Sequence, residues 1–500
     1  MPKRFDELLH RVAVVDRAGD AGVAVSGIRH DSREILPGEV FVALPGLHSD
    51  GRAFIADAIS RGAVAVVQQP PAFPVPDGIA SVVVEDAARA LGELANTFYG
   101  NPSAGMLMVG VTGTNGKTTI TWILESIFRE AGWSPGVIGT IACRFAGRSE
   151  PALHTTPFAD DLIRLLAQMR DAGVTAVAME VSSHALVQGR VREVDYDVAA
   201  FTNLTSDHLD FHGTMESYFE AKSTLFTMMQ PARRKAGMPP GAGARTCVVN
   251  VDDPWGARLV RRCPDGTVLR VGDAGDIRWD TIRSSVTGTH LVLRDQGEQI
   301  PVSLPLIGAY NQCNAAIAYA IARSQGISPA VIARGMECMP AVPGRLERVA
   351  DAPVSVIIDY AHTPDALEKV ITAVRDITPV GRRITVVFGC GGDRDRSKRP
   401  VMGAVATKLA DRVIVTSDNP RSEDPAAILV DIEVGIRRSG ATNYCIEPDR
   451  AAAIRRAIRE SREGDVVLLA GKGHETYQIL ASGRVHFDER EIVREVMASR

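Results

Sequence analysis

Short apolar runs alternate with amphipathic segments along the last third of the chain. The runs are VSVIID (354–359), ITVVFG (384–389), RVIVTSD (412–418) and VVLLAG (466–471), and their β-branched residues are typical of buried strands. Between them, ALEKVITAVRDI and VMGAVATKLA have helical spacing. This alternation predicts a parallel sheet with right-handed crossovers. Each run ends in a polar or glycine-rich cluster (DYAH, GCGGDRD, SDNPR or GKGHE), so we expect a ligand site at the carboxyl edge of this sheet.

Two further units precede this one. In the first, EVFVALPG predicts a strand, and AFIADAISRGAVAVV predicts a helix followed by a strand. The second opens with the apolar strand MLMVGV and ends near CMPAVPG. Within it, residues 230–245 are rich in Pro, Gly and Arg, and we expect an exposed, disordered loop. The sequence therefore predicts an α/β fold of three domains, at residues 1–102, 103–340 and 341–500.

Composition narrows the class of protein. The 500 residues include 45% apolar and 23% charged residues, which is typical of a soluble globular protein. Lys and Arg number 56 and Asp and Glu 60, for a net charge of −4, and aromatic residues are only 5%, so we expect no nucleic-acid partner. No apolar run approaches the ~20 residues of a membrane span, and the charges within the apolar stretch of the N-terminal segment predict that it is not a secretory signal. The seven Cys form no CxxC pair, which predicts a cytoplasmic location, and the absence of heptads favours a monomer.

The segment TGTNGKTT lies between the strand MLMVGV and the amphipathic helix ITWILESIFREAG. A glycine loop at a helix N-terminus binds phosphate through backbone N–H groups and the helix dipole. Lys117 would reach the β- and γ-phosphates of ATP, and the Thr118 hydroxyl would bind Mg²⁺. Val111 stands where the longer form of this motif has its first Gly, but the strand–loop–helix context favours nucleotide binding over an ordinary turn. The predicted ATP-binding residues of the loop are Gly113, Thr114, Asn115, Gly116, Lys117, Thr118 and Thr119.

A lysine interrupts an apolar stripe in the helical segment MESYFEAKSTLFTMM. Lys222 shares one helical face with Met215, Phe219, Phe226 and Met229. Burial would lower its pKa, and the neutral amine can react with CO₂ to give a carbamate, an anionic oxygen ligand suited to Mg²⁺. The alternative, which this segment alone favours, is a lysine that extends along its stem to water.

Two more residues complete a candidate metal site. Glu180 follows the apolar strand VTAVAM and, with Thr118, would hold one Mg²⁺. His208, in TNLTSDHLDFHG, would hold a second Mg²⁺ with carbamylated Lys222. Each signal is weak by itself, because a lone His is more often structural and a carboxylate at a strand end can be an ordinary surface charge.

Taken together, the chain resembles the Mur ligases, the ATP-dependent ligases of peptidoglycan precursor synthesis. The motifs TGTNGKTT, EVSSHAL, TNLTSDHLDFHG, GAYNQCNAAIA, PGRLE, DYAHTPDAL, FGCGGDRD, SDNPR and AGKGHE appear in the order expected of that family. The resemblance implies a small N-terminal domain that binds a UDP-linked substrate. It further implies a central P-loop domain with a parallel sheet, which binds ATP, and a Rossmann-like C-terminal domain, which binds the incoming amino acid.

The resemblance also implies roles for individual residues. Ser32, Thr155, Thr156, Ser182, Gln188 and Arg190 would hold the UDP-muramoyl dipeptide. Lys222 would be a carbamylated, metal-binding lysine, and Asn311, Arg345, Asp359 and His362 would lie around ATP. From their local context alone, Asn311 could be a helix-cap amide and Arg345 a surface cation. The implied catalytic set is Lys117, Glu180, His208, Lys222 and His362.

The motif SDNPR bears on the amino-acid substrate. Within the resembled family it looks like the signature of enzymes that add meso-diaminopimelate, whose second carboxylate suits the planar fork of Arg421. The implied diaminopimelate-binding residues are Arg394, Asp418, Asn419, Pro420, Arg421, Gly471 and Glu475. The implied reaction joins diaminopimelate to the D-glutamate side chain of UDP-N-acetylmuramoyl-L-alanyl-D-glutamate, with ATP as co-substrate. L-lysine as the amino acid, a folylpolyglutamate synthetase-like ligase and a nucleotide-dependent switch protein stay open as alternatives.

Overall fold

In the computed structural model, the described residues are 2–46, 50–229, 235, 238–239, 241–264, 266, 268–285 and 287–499. Half of the positions in 230–245, where an exposed and disordered loop is predicted, lie outside these ranges. Among the described half, Lys235, Ala242 and Arg245 are buried, so the predicted exposure is wrong for them. None of the helices built from the described residues is long and apolar enough to cross a membrane.

The N-terminal α/β unit is built on a five-stranded sheet. Its elements are β1 (Lys3–Arg4), α1 (Phe5–Leu8), β2 (Val14–Ala18), β3 (Ala24–Val25), β4 (Gly27–Arg29), β5 (Glu39–Val42), α2 (Ile55–Ser60), β6 (Ala65–Gln68), β7 (Ala80–Val84) and α3 (Ala87–Tyr99). The strand order among the described residues is β2-β7-β6-β5-β4, with β2 antiparallel to β7 and the other neighbours parallel. The predicted strand EVFVALPG is β5, and the predicted helix and strand after it are α2 and β6.

The central unit is the largest. Its elements are β8 (Leu107–Thr112), α4 (Lys117–Glu130), β9 (Pro135–Ile138), β10 (Ala142–Phe145), β11 (Arg148–Pro151), α5 (Ala159–Asp171), β12 (Ala176–Glu180), α6 (Ser183–Val187), β13 (Val198–Phe201), α7 (Leu209–His212), α8 (Met215–Thr227), β14 (Thr246–Asn250), α9 (Pro254–Leu259), β15 (Val268–Val271), β16 (Ile277–Ser285), β17 (Gly288–Asp295), β18 (Glu298–Leu304), α10 (Ala309–Ser324) and α11 (Pro329–Glu337). The strand order of its sheet is β11-β10-β9-β12-β8-β13-β14-β15-β16-β17-β18.

The parallel sheet predicted for this unit is confirmed at its centre but not at its edges. Neighbours from β9 to β15 are parallel, whereas β10, β11, β17 and β18 pair antiparallel. The central strands are buried on both faces: Leu107, Val109 and Val111 face one core, and Met108 faces the other. In contrast, β16 is mostly exposed, so it lacks the continuous apolar run that reveals a buried strand.

The C-terminal unit confirms the predicted alternation of strands and helices. Its elements are β19 (Glu347–Ala350), β20 (Ser355–Asp359), α12 (Pro364–Ile377), β21 (Ile384–Phe388), α13 (Lys398–Leu409), β22 (Arg412–Val415), α14 (Pro425–Ser439), β23 (Tyr444–Ile446), α15 (Arg450–Glu460), β24 (Val466–Ala470), β25 (Tyr477–Leu480), β26 (Gly483–His486) and α16 (Glu489–Ala498). The strand order of the sheet is β19-β20-β24-β21-β22-β23, parallel except for β19. The edge strands β19 and β23 were not predicted.

Polar contacts join the three units. His30, just after β4, contacts Asp160 in the first turn of α5, with 2.9 Å between Nδ1 and Oδ1. Between the central and C-terminal units, Asn115 Nδ2 donates to Asp365 Oδ2 at 3.4 Å. The phosphate loop therefore lies next to the C-terminal unit. The domain boundaries near 102 and 340 stay predictions.

Candidate active site

The predicted phosphate loop joins β8 to α4. Gly113 (φ 142°) and Gly116 (φ 90°) have backbone angles that L side chains rarely adopt. A Cβ on Gly113 would lie 1.8 Å from Thr202 Oγ1, so glycine is required there. Thr114 N donates to Asn203 O at 2.9 Å, which fixes the loop to the segment after β13. These contacts hold the loop in one shape at the N-terminus of α4, as a phosphate site requires.

Two lysines converge on one carbonyl oxygen of this loop. Lys117 Nζ and Lys222 Nζ each donate to Gly113 O at 2.9 Å. Lys222 is only 1% exposed, and burial, reinforced by the charge of Lys117, holds its pKa well below the ordinary value. Burial also lowers the pKa of Lys117. Lys222 thus lies inside the protein beside the loop and does not extend to water, contrary to the alternative that its segment alone favours.

Glu180, at the end of β12, faces the first turn of α4. Its Oε1 accepts from Thr118 Oγ1 at 2.9 Å and from Thr140 N at 2.8 Å, and its Oε2 accepts from Thr140 Oγ1 at 3.0 Å. A Cβ on Gly139 would lie 2.3 Å from Oε1, so glycine leaves room for the carboxylate. Hydroxyl and carboxylate oxygens are ligands that Mg²⁺ prefers, so these side chains fit the predicted ion. Thr119, also predicted at the ATP site, is buried in the same helical turn.

The two side chains predicted to hold a second Mg²⁺ both pack near Tyr218. Lys222 Nζ is 4.4 Å from the centre of the Tyr218 ring, and the His208 and Tyr218 ring centres are 6.3 Å apart. His208 Nε2 lies 3.4 Å from Asp207 Oδ2. Burial lowers the pKa of His208, although the charge of Asp207 opposes this, and the neutral imidazole is the form that binds metals.

The predicted ATP residue Asn311 lies within α10 and reaches the loop through a neighbour. Asn311 Nδ2 donates to Ile307 O at 2.7 Å, and its Oδ1 accepts from Asn314 Nδ2 at 3.0 Å. Asn314 is the residue that faces the loop, because a Cβ on Gly116 would lie 2.3 Å from Asn314 Oδ1. Asn314 was not predicted, although it stands three residues after Asn311 on the same helical face.

Arg345 joins the C-terminal unit to the phosphate loop, and His362 lies beside the Tyr360 ring that Arg345 also contacts. Arg345 Nη2 donates to Thr118 Oγ1 at 3.3 Å, and its guanidinium lies 4.7 Å from the centre of the Tyr360 ring. His362 Nδ1 is 2.8 Å from the carbonyl oxygen of Tyr360 and therefore carries the proton, which leaves Nε2 as an acceptor. Burial lowers the pKa of His362, so the neutral ring is favoured.

The carboxylate of Asp359 accepts hydrogen bonds from the backbone of the C-terminal unit. Its Oδ2 accepts from Leu346 N at 2.7 Å and its Oδ1 from Ala361 N at 2.8 Å, which ties the segment before β19 to the end of β20. Burial raises the pKa of Asp359 to about 6. Because both oxygens already accept backbone hydrogen bonds, the predicted contact with ATP would have to share them.

Most of the predicted muramoyl-dipeptide residues form one hydrogen-bonded group. Thr156 Oγ1 donates to the backbone oxygen of Glu180 at 2.8 Å and accepts from Ser182 N at 3.1 Å. The hydroxyls of Thr155 and Thr140 are 3.1 Å apart. This group is therefore continuous with the predicted metal site at Glu180.

Arg190 extends this group toward the N-terminal unit. It donates to Thr156 O at 2.9 Å and to Gln188 Oε1 at 2.8 Å, and its guanidinium lies 3.8 Å from the centre of the Phe158 ring. Burial lowers the pKa of Arg190 to about 10. The Phe158 ring stacks on the His30 ring with 4.3 Å between their centres, and His30 stands two residues before Ser32, the predicted UDP-substrate residue of the N-terminal unit. The Ser32 hydroxyl hydrogen-bonds to Asp57 and lowers the pKa of that carboxyl.

The predicted amino-acid residues meet at the carboxyl ends of β22 and β24. Asn419 Nδ2 donates to Glu475 Oε2 at 2.8 Å. A Cβ on Gly471 would lie 3.5 Å from Asp418 Oδ2. Asp418, Asn419 and Pro420 are buried, so the strand ends carry two carboxylates into a largely enclosed space.

Two arginines stand beside these carboxylates. A Cβ on Gly391 would lie 2.9 Å from Arg421 Nη1 and 3.8 Å from Arg394 Cγ, so both side chains flank Gly391. Arg421 has φ 55° and donates from Nη1 to Gly392 O at 2.7 Å. Burial and the charge of Arg394 lower the pKa of Arg421. Cationic and anionic side chains side by side suit the carboxylate and ammonium of an amino acid.

Comparison with known proteins decides the family. Three family models match the chain: "Mur ligase family, catalytic domain" over 24–99, "Mur ligase middle domain" over 111–322 and "Mur ligase, glutamate ligase domain" over 344–473. A protein of Solibacter usitatus named UDP-N-acetylmuramoyl-L-alanyl-D-glutamate--2,6-diaminopimelate ligase is 46% identical over 480 residues, covering 95% of this chain and 94% of its own length. The chain belongs to the Mur ligase family.

Solved structures agree with this assignment. A structure titled UDP-N-acetylmuramoyl-L-alanyl-D-glutamate--2,6-diaminopimelate ligase is 31% identical, with a TM-score of 0.68, covering 100% of this Mur ligase and 99% of the other chain. The MurF ligase of Thermotoga maritima in complex with ADP has a TM-score of 0.66 over 95% of this chain and 97% of its own, at 20% identity, and so supports the fold alone. The predicted resemblance to the Mur ligases is thereby confirmed.

Several polar residues at the site of this Mur ligase were not predicted from the sequence. They are Thr140, which holds Glu180; Asn314, beside the loop; Asp365, which contacts Asn115; and Lys472, within the amino-acid cluster. Asn314, Asp365 and Lys472 stand inside the quoted motifs GAYNQCNAAIA, DYAHTPDAL and AGKGHE, so motif membership was a usable signal for them. Thr140 acts through a partner 40 residues away, which spacing cannot reveal.

Proposed function

We propose that this chain joins meso-2,6-diaminopimelate to the D-glutamate side-chain carboxylate of UDP-N-acetylmuramoyl-L-alanyl-D-glutamate, with cleavage of ATP. As a Mur ligase it is an ATP-dependent enzyme that forms amide bonds in peptidoglycan synthesis. Near-full-length relatives that carry this enzyme name support the substrates. One observation carries the proposal: the phosphate loop with its two lysines, the hydrogen-bonded group around Thr156 and the cluster of charged residues around Arg421 occur in one chain. Glu180 joins the Thr156 group to the phosphate loop, and Arg345 joins the C-terminal unit to the same loop.

The proposed reaction has two steps. A carboxylate is a poor electrophile, so the γ-phosphoryl group of ATP first passes to an oxygen of the D-glutamate carboxylate, giving an acyl phosphate and ADP. The diaminopimelate amine then attacks the acyl carbon, and phosphate leaves from a tetrahedral intermediate. Both phosphoryl donor and acceptor are anions, and Lys117, at the N-terminus of α4, would neutralise part of their charge.

His362 is the group we propose for the amine proton. Its Nδ1–H is held by the Tyr360 carbonyl, and burial favours the neutral ring, so Nε2 is able to accept a proton. Arg345, which reaches Thr118 from the C-terminal unit, would help to hold ATP across the two units.

Mg²⁺ is the proposed cofactor. Thr118 and Glu180 would hold one ion, and His208 with carbamylated Lys222 a second. Bound there, the ions would offset the negative charge of the phosphates and of the acceptor carboxylate. Lys222 is suited to carbamylation because its buried amine has a strongly lowered pKa.

The three units take separate substrates in this proposal. The units at 1–102, 103–340 and 341–500 would bind the UDP end, ATP and the amino acid, and the contacts between the units would bring the three together. The partners are therefore small molecules, and we propose that the protein acts as a monomer in the cytoplasm, where ATP is available.

A single incubation tests the proposed function. The purified protein is incubated with ATP, Mg²⁺ and UDP-muramoyl dipeptide in three parallel reactions: with diaminopimelate, with L-lysine and with no amino acid. The mass of the product is determined by mass spectrometry. We expect a UDP-muramoyl tripeptide and ADP release with diaminopimelate. A product formed only with L-lysine would show that L-lysine, and not diaminopimelate, is the amino-acid substrate. ATP hydrolysis at the same rate with and without every acceptor, and with no ligated product, would refute the proposed ligase activity.

A further inference from the structure

A buried lysine stands behind the amino-acid cluster and is not among its predicted members. The Lys472 side chain is 0% exposed. Its Nζ is 3.1 Å from Asn419 Oδ1, 3.0 Å from Glu475 Oε2 and 3.5 Å from Asp418 Oδ1. One side chain therefore contacts three of the seven residues predicted to bind diaminopimelate.

Lys472 offsets part of the negative charge of Asp418 and Glu475. Asp418 and Glu475 are largely buried, with side chains 9% and 13% exposed, and two carboxylates in such a space repel each other. Lys472 lies near both of them and holds Glu475 through a charged hydrogen bond. Asn419 completes the group, because its Oδ1 accepts from Lys472 and its Nδ2 donates to Glu475.

The lysine leaves one carboxylate oxygen available to a ligand. Asp418 Oδ1 is buried and has no hydrogen-bond partner in the described part of the chain, since Lys472 Nζ approaches only to 3.5 Å. A buried acceptor of this kind normally finds a donor. An ammonium group of the incoming amino acid is a donor of the right charge, and the guanidinium of Arg421 stands nearby for a carboxylate.

We propose that Lys472 is a positioning residue that fixes Asp418, Asn419 and Glu475 in the arrangement that binds the incoming amino acid. This inference rests on the proposed function. Lys472 does not itself receive the substrate: all its described polar contacts are to the three side chains. Its removal therefore acts on amino-acid affinity and leaves the ATP and UDP-substrate sites unchanged.

The strand ends do not depend on Lys472 for their position. Arg450, also fully buried, donates to Ser417 O at 3.4 Å and to Ala470 O at 2.9 Å, directly before Asp418 and Gly471. Its charge is matched by Glu489, whose Oε1 accepts from Arg450 Nε at 2.8 Å. Because this pair holds the backbone, a change at Lys472 can disturb the side chains while the sheet edge keeps its shape.

Lys472→Met, which keeps the length of the stem without the charge, is the test variant in the full chain. Lys235→Met is the matched control: Lys235 is another buried lysine paired with a carboxylate, 2.7 Å from Asp197 Oδ2, in the central unit. We expect the KM for diaminopimelate to rise about tenfold or more in Lys472→Met. The KM values for ATP and UDP-muramoyl dipeptide, and kcat at saturating diaminopimelate, should change by less than about threefold. Lys235→Met should change none of the KM values selectively.

An unchanged KM for the amino acid in a folded Lys472→Met protein would overturn the proposal, and so would an equal rise in all three KM values. Lys472→Gln, whose amide can still donate to Asn419, is the second variant and should show a smaller rise. If both Lys472 variants fail to fold while Lys235→Met folds, the lysine is structural and the proposal is wrong.

The wild-type assay distinguishes a failure of this proposal from a failure of the proposed function. If the wild type ligates a different amino acid, the same KM comparison is made with that amino acid. If the wild type ligates no amino acid, the ligase proposal itself fails and Lys472 has no such role.

Discussion

At the scale of residues, the buried ionisable side chain of Lys222 is central to the proposed chemistry. Lys222 has lost its hydration, and Lys117 shares the same carbonyl acceptor, so both effects disfavour the ammonium form of Lys222. A buried cation normally has an anionic partner, because an unpaired charge is costly in a protein interior. The environment of Lys222 therefore favours a neutral, nucleophilic amine next to a phosphate site.

Lys222→Ala should abolish ADP release while the protein stays folded. The change removes the proposed carbamate ligand but no cap or backbone contact of the fold other than one hydrogen bond to Gly113 O. Steady-state ADP release and the melting temperature are the measurements. Short carboxylic acids added to the variant should restore part of the activity, since they can place an anionic oxygen in the vacated space. Full activity in the variant without such additions would contradict the carbamate role.

Arg421→Ala should weaken diaminopimelate binding selectively. Losing a charged partner of a carboxylate in a largely desolvated site typically costs about 2 kcal/mol or more, or about 30-fold in affinity. We expect a rise of that size in the KM for diaminopimelate and little change in the KM for ATP. Arg421→Lys is the control, because it keeps the charge and the side-chain stem at a residue with φ 55° but loses the planar fork. Equal changes for both substrates would argue against the assignment.

At the scale of elements, strands could be predicted from the sequence where burial on both faces produces an unbroken run of apolar residues. Strands such as β8 and β21 are buried on both faces and read as unbroken apolar runs, and the loop before α4 carries its glycines in a recognisable pattern. The exposed antiparallel strand β16 gives no such run. The motif AGKGHE marks Lys472 as a candidate, but its three contacts could not be assigned from the sequence, because they depend on how β22 and β24 end on either side of β21. Such a convergence follows from sheet order, which local patterns do not fix.

Gly116→Ala should weaken ATP binding more than its backbone strain alone explains. Gly116 has φ 90°, and the new Cβ would lie 2.3 Å from Asn314 Oδ1. Asn314 would have to move away from the loop, disturbing its bond to Asn311. Gly132→Ala, just after the C-terminus of α4, is the matched control, because Gly132 also has a positive φ of 74° but nothing within 4 Å of a Cβ. We expect Gly132→Ala to lose about 1 kcal/mol of stability and Gly116→Ala at least as much, and only Gly116→Ala to raise the KM for ATP. Equal KM values in the two variants would show that the contact with Asn314 is unimportant.

At the scale of the whole molecule, the three large sheets meet through both apolar and polar contacts. Each sheet is covered on both faces by apolar clusters. Some clusters cross between units: Ala159 of α5 packs in the N-terminal core, Ala95 of α3 in the central core and Ile307 in the C-terminal core. Polar pairs such as His30 with Asp160 and Arg345 with Thr118 add to this packing. The polar pairs can break and re-form without unfolding a core, which suits an enzyme that must admit three substrates.

The His30–Asp160 contact makes the stability of the assembled molecule depend on pH. Burial by itself would lower the pKa of His30, but the hydrogen bond to Asp160 and the charges of Asp160, Asp161 and Asp31 outweigh it, so the pKa is raised. A folded-state pKa above the unfolded value of about 6.5 means that this stabilisation is complete below pH ~6.5 and is lost as pH rises through the folded-state value.

His30→Ala should therefore lower the melting temperature more at pH 6 than at pH 9. The expected loss at the lower pH is about 2 kcal/mol, which is typical of a hydrogen bond to a charged group, and it should shrink as the wild-type imidazole loses its proton. Asp160→Asn and the double variant complete a mutant cycle whose coupling energy should fall with rising pH. A difference between wild type and His30→Ala that is the same at both pH values would mean that the stacking of His30 on Phe158, and not its charge, holds the N-terminal unit to α5.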